Sequence, residues 1–85
     1  MKGITMTRSL YDIAQDIRAD YADRGKSITP YAEPYVDAMM YLDEITDNYG
    51  CDTGDSIVRY ALSNLNTWRG EKAREIKAEL RAMLK

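Results

Sequence analysis

The chain of 85 residues contains no histidine and one cysteine, and none of its apolar runs approaches the roughly 18 residues that a membrane span needs. The missing histidine removes the commonest general base near neutral pH and the commonest nitrogen ligand for transition metals. Ser-His-Asp, Cys-His and histidine-based zinc sites go with it. A single cysteine forbids an internal disulfide and leaves nothing to suggest an oxidising compartment. The opening MKGITMTRSL lacks the apolar stretch of a secretory signal, so a cytoplasmic location is expected. There is no phosphate-binding glycine loop. Carboxylate or magnesium chemistry would need acidic groups converging in a pocket, which so short a chain seldom encloses. The expectation is therefore a protein that is not an enzyme, needs no cofactor and has no membrane partner.

Positive charge is also missing from a long stretch. Between Lys26 and Arg59 lie seven acidic residues, Glu33, Asp37, Asp43, Glu44, Asp47, Asp52 and Asp55, and no basic one. Residues 59 to 85 carry seven basic against three acidic, so a net charge of −2 conceals a strong separation along the chain. With 45% apolar and 31% charged residues the composition is that of an ordinary globular domain. No repeat, low-complexity tract or linker divides it, and residues 1–85 read as a single domain.

Four helical segments account for most of the chain. The first runs from about Ser9 to Arg24, with Leu10, Ile13, Ala14, Ile17 and Tyr21 at helical spacing, Ser9 and Asp12 as a capping pair and Gly25 placed to end it. The second is entered through TPYAEP and runs to about Asp47. Pro34 either falls inside a first turn that begins near Tyr31 or opens the helix itself. Its inward arc is Tyr35, Ala38, Met39, Leu42, Ile45 and Tyr49. The third starts after Asp52 or Thr53, runs to about Asn64 and buries Ile57, Val58, Ala61, Leu62 and Leu65. The fourth is capped by Asn66 or Thr67 and carries Ala73, Ile76, Leu80, Met83 and Leu84 on its apolar stripe. No strand pattern of useful length is present. The expected fold is all-α, a compact bundle of four short helices.

The segment DNYGCDTGD, residues 47–55, has three aspartates, Asp47, Asp52 and Asp55, around the cysteine. It fails the spacing of a calcium loop, because Tyr49, Cys51 and Asp52 stand where positions 3, 5 and 6 need oxygen ligands and glycine. The residues read better as punctuation: Asn48 and Gly50 end helix two, Asp52 or Thr53 caps helix three, and Asp55 favours its first turn. Cys51 has no basic neighbour in sequence and is expected to be a small buried apolar group.

Function in a small bundle lies on faces that the core leaves over. Asp12, Asp16, Asp20 and Asp23 share one side of helix one, either solvated or paired with basic residues elsewhere. On helix two the outward arc carries Glu33, Asp37, Glu44 and Asp47, with Val36, Met40 and Tyr41 among them. Apolar and aromatic groups fringed by carboxylates describe a protein-binding patch, unless a neighbouring helix wraps far enough to cover them. Helix four bears Arg74, Lys77, Arg81 and Lys85 along one edge. That edge suits phosphates, although a pI near 5.0 and a first turn without base-reading residues argue against a DNA reader, and pairing with the helix-one aspartates is the alternative. Trp68 is expected to pack from its turn onto helix two or three, with Arg69 over an aromatic face.

The blocks YGCD (49–52), SIVRYALSN (56–64) and TWRGEKAREIKAELRAML (67–84), with the entry YAEPYVDAM, resemble a family of small uncharacterised helical proteins of bacteriophages, prophages and mobile elements. The resemblance implies a phage or mobile-element origin and brings no catalytic or ligand residues with it. The leading expectation is a module that binds a host or phage protein through Glu33, Val36, Asp37, Met40, Tyr41, Glu44 and Asp47, inhibiting a nucleic-acid-binding factor by imitating phosphates with carboxylates. The alternatives are a DNA-binding regulator that uses helix four and a self-associating virion or assembly component.

Overall fold

The computed structural model describes residues 8–84, which form four helices and one short hairpin. In chain order these are α1 (Leu10–Asp23), α2 (Glu33–Met39), β1 (Asn48–Tyr49), β2 (Asp52–Thr53), α3 (Gly54–Asn64) and α4 (Glu71–Met83). Helices α1 and α2 pack on each other, α1 also packs on α4, and α2 also packs on α3. No helix among the described residues is long and apolar enough to cross a membrane.

Both ends of α1 are set by local chemistry. The Ser9 hydroxyl accepts from the Asp12 N–H at 3.0 Å, and Leu10, Ile13, Ala14, Ile17 and Tyr21 form the buried stripe. At the other end Gly25 takes φ +66°, its N–H donates to Ala22 O, and the N–H of Lys26 donates to Tyr21 O. This pair of bonds satisfies the last carbonyls of the helix and needs a residue tolerant of left-handed backbone at Gly25.

Helix α2 is a correction to the sequence reading. Pro34 does lie in its first turn, but the helix ends at Met39 and not near Asp47. Successive i→i+3 bonds from Met40, Tyr41 and Leu42 tighten its end, and the chain then turns so that Leu42 O and Asp43 O accept from the N–H groups of Tyr11 and Leu10, each at 2.9 Å. Those two donors belong to the first turn of α1 and have no partner within their own helix. A longer α2 would have spent these carbonyls internally and left α1 open.

The segment read as the end of helix two is instead an antiparallel hairpin pairing Asn48 with Thr53 and Tyr49 with Asp52. Its loop is Gly50–Cys51, with Gly50 at φ +64°, the first-position glycine of a tight two-residue hairpin turn. The all-α expectation is therefore corrected to a mostly helical fold with a two-stranded sheet. Cys51 sits exposed at the tip, and Tyr49, expected inside, is exposed as well. Helix α3 follows directly from β2, with Thr53 as its N-cap and Asp55 in its first turn. Its first residue, Gly54, is buried against the preceding loop: its N–H donates to Asp47 O at 2.7 Å, and a Cβ there would lie 2.6 Å from Ile45 O.

The core joins the α1 stripe to Ala32, Val36, Ala38, Met39 and Leu42, to Ile57, Val58, Ala61 and Leu65, and to Trp68, Ala73, Ile76 and Leu80. Helix α4 starts at Glu71, later than expected, because Trp68 and Arg69 remain in the connection and Gly70 is the N-cap. Trp68 does act as a staple, but onto α1. Its ring stacks on Tyr21 with centroids 5.7 Å apart, and its Nε1 donates to Asp20 Oδ2 at 2.7 Å. The cation beside it is Lys77, 5.9 Å from the ring centroid and donating to Trp68 O at 2.6 Å, and not Arg69.

Candidate functional site

The seven residues expected on the outward arc of helix two have separate fates. Val36 is fully buried. Because α2 lies between α1 and α3, its buried arc is wider than a single neighbour would make, and the arc extends from Ala38 and Met39 round to Val36. Met40 is half-buried and packs on the core. Glu33 and Asp37 are held by Arg18 of α1, whose Nη2 lies 3.2 Å from Glu33 Oε2 and 3.5 Å from Asp37 Oδ1. The Asp47 carboxylate turns back into its own loop and accepts from the N–H groups of Asp43 and Glu44 at 3.1 and 3.0 Å. It shapes the loop that closes α1.

Tyr41 and Glu44 are left in the open. Tyr41 is 71% exposed, and its ring lies 5.8 Å from that of Tyr49 in a tilted pair. Asp43, Glu44 and Asp52 are exposed on the same loop and hairpin. A second tilted pair, Tyr35 with Tyr60 at 5.3 Å, joins α2 to α3, and Tyr31 is 76% exposed at the entrance to α2. Five of the seven tyrosines, Tyr11, Tyr31, Tyr41, Tyr49 and Tyr60, are exposed. Tyr49 was misplaced inside by a helical register that the hairpin abolishes. Tyr60 was not singled out, although it falls off the Ile57–Ala61 stripe and its neighbour Arg59 marks the solvent side of α3.

The helix-one aspartates are partly neutralised. Arg8 binds Asp16 and also reaches Glu79 of α4 with two bonds, 2.8 and 3.0 Å. Hydrogen bonds to Glu79 first and Asp16 second hold the guanidinium of Arg8 well above its ordinary pKa. Arg24 pairs with Asp20 at 3.1 Å. Asp12 and Asp23 are exposed.

The basic edge of α4 does not pair with these aspartates among the described residues. Arg74 and Arg81 are exposed, Lys77 is half-buried over Trp68, and Lys85 lies outside the described residues. Burial foremost, then the charges of Arg81 and Arg69, push the Lys77 ammonium below its ordinary pKa.

Comparison of the chain with protein-family models, with characterised proteins and with solved structures finds no match to any of them.

Proposed function

We propose that this chain is a non-enzymatic accessory protein, of the phage or mobile-element kind that its sequence resembles, and that it binds a basic protein partner through the end of α2 and the hairpin. The observation that carries this reading is the exposed Tyr41–Tyr49 pair, set among the open carboxylates of Asp43, Glu44 and Asp52 in a stretch with no positive charge from residue 27 to residue 58. Aromatic rings offer large contact area with little rotamer entropy to lose, and the carboxylates supply long-range attraction and orientation. The partner that fits is a nucleic-acid-binding protein whose basic site accepts carboxylates in place of phosphates.

The revised surface is smaller than the arc expected from sequence, since Val36 is core and Arg18 holds Glu33 and Asp37. Its centre moves to the two tyrosines. Immobilised protein should retain such a basic partner at low salt and release it as salt rises. Replacing Tyr41 and Tyr49 by alanine should weaken retention about tenfold or more, the loss expected of an aromatic anchor, without changing the urea midpoint. Undiminished retention by the double variant, or retention indifferent to salt, would sink the reading.

A further inference from the structure

The corner between α3 and α4 gathers positive charge that the described part of the chain does not answer. Asn66, Arg69, Gly70, Arg74 and Lys77 line a cavity of about 340 Å3 there. Elsewhere Arg8 pairs with Asp16 and Glu79, Arg18 with Glu33 and Asp37, and Arg24 with Asp20, while Arg59 stands alone on α3 among the described residues. Among the described residues, no carboxylate lies within ion-pairing distance of Arg69, Arg74, Lys77 or Arg81.

Further observations concern the same corner. Lys77 is fixed in place by its bond to Trp68 O, which uses one of three ammonium donors. Burial first, and then the charges of Arg81 and Arg69, hold its ammonium below the ordinary lysine range. Helix α4, 13 residues long, begins here with no side chain accepting from its first-turn N–H groups. Gly70, at φ +118°, has no Cβ, and the guanidinium of Arg24 occupies the space a Cβ would take, so a further cation borders the corner. Glu71 stands in the first turn of α4 but does not line the cavity.

We propose that the α3–α4 corner binds a phosphate group of a small phosphorylated ligand, held by Arg69, Arg74 and Lys77 at the uncapped start of α4. Guanidinium groups meet phosphate oxygens with paired N–H donors, an ammonium adds a point charge, and helix-start N–H groups accept a doubly negative group readily. A compact ligand suits the corner better than a nucleic-acid duplex. The cations converge on one concavity and do not track a groove, the only tryptophan is buried and gives bases no face to stack on, and the chain has a pI near 5.0. None of this depends on the tyrosine surface, which uses other residues at another place.

Trp68 is the only tryptophan and lines the cavity, so its emission is the readout. Sodium pyrophosphate titrated at constant ionic strength should change that emission saturably, with half-saturation at or below about 1 mM. Arg69→Ala and Arg74→Ala should each raise the half-saturation concentration roughly tenfold, as expected for the loss of a charge-assisted bond. Both side chains are exposed, and circular dichroism checks that the variants stay folded. Arg59→Ala should leave binding unchanged, since Arg59 lines a separate concavity with Met83, at the far end of α4. The proposal fails if pyrophosphate gives no saturable change, if sodium chloride of equal ionic strength reproduces it, or if the Arg59 variant loses as much as the Arg74 variant. It also fails if a duplex oligonucleotide binds more tightly than pyrophosphate through the same arginines, which would make the corner part of a nucleic-acid track.

Discussion

Trp68 and Gly54 show how much single residues decide in a domain of this size. The Trp68 ring stacks on Tyr21 with Lys77 near it, and its one polar atom is satisfied by Asp20, which Arg24 also holds. Trp68→Phe should keep most of the stacking but lose the bond to Asp20 and leave a void, costing about 1–3 kcal/mol in urea unfolding. Trp68→Ala should cost about 3–5 kcal/mol. If the phenylalanine variant proved as stable as the parent, the Asp20 bond would contribute nothing. Gly54→Ala should destabilise by about 1–3 kcal/mol, because the added methyl meets the backbone oxygens of Ile45 and Glu44, which cannot rotate away as a side chain could. An unchanged urea midpoint for Gly54→Ala would show that the loop yields. The sequence disclosed Trp68 as a buried anchor but not its partners, since nothing in residues 65–70 says which way the connection turns. Gly54 gave no sign at all, because the reason for a glycine there is the carbonyl of a residue nine positions earlier.

Among the elements, legibility followed the range of the causes. The α1 stripe, its Ser9 cap and its Gly25 stop all operate within a turn or two, and all three were readable. The stripe of α4 was readable in the same way. The end of α2 was not, because α1 needs the carbonyls of Leu42 and Asp43, a demand that lies some thirty residues away in sequence. That one error moved Tyr49 to the surface, made Asp47 a loop brace and replaced the helix end with a hairpin. The start of α3 offers a pH test at this scale. The Thr53 hydroxyl donates to Asp55, and this bond first, with the Ser56 N–H and Arg59 assisting, holds the Asp55 carboxyl below the ordinary aspartate value of 3.8. A group whose folded pKa is depressed adds stability that is present above about 3.8 and is lost as pH falls through the lower folded value. Thr53→Val removes the donor, so the carboxyl resonance of Asp55 in an NMR titration should move its midpoint up toward 3.8. A midpoint unmoved by the substitution would assign the shift to the helix start instead.

At the scale of the molecule, charge is segregated, and the arginines of the α1 region hold the parts together. Arg8 ties α1 to α4, Arg18 ties α1 to α2, and Arg24 steadies the Asp20 carboxylate that receives Trp68. The candidate surfaces lie where such pairing stops, at the acidic hairpin and at the basic α3–α4 corner. The separation of charge was visible in the sequence, but which charges would be spent internally was not, because that depends on helix crossings. The bridge at Arg8 is the most extended of these links and the easiest to test. Its guanidinium makes two bonds to Glu79 and one to Asp16, with each side chain about one-third exposed. Arg8→Gln keeps some of the stem but leaves two carboxylates facing each other across the α1–α4 contact. The loss should be about 1 kcal/mol at low salt, the upper end for a partly exposed pair because the geometry is bidentate and shared. Since its hydrogen bonds to Glu79 and Asp16 raise the folded pKa of Arg8 above the ordinary arginine value, the guanidinium stays charged and its contribution holds steady through neutral and mildly alkaline pH. Raising salt from about 0.05 M to about 0.5 M should shrink the difference between parent and variant to roughly half, because screening weakens the link in one and the carboxylate repulsion in the other. Urea unfolding of both proteins at the two salt concentrations makes the comparison. A difference that does not shrink with salt would mean that Arg8 holds α4 by the packing of its stem and not by its charge.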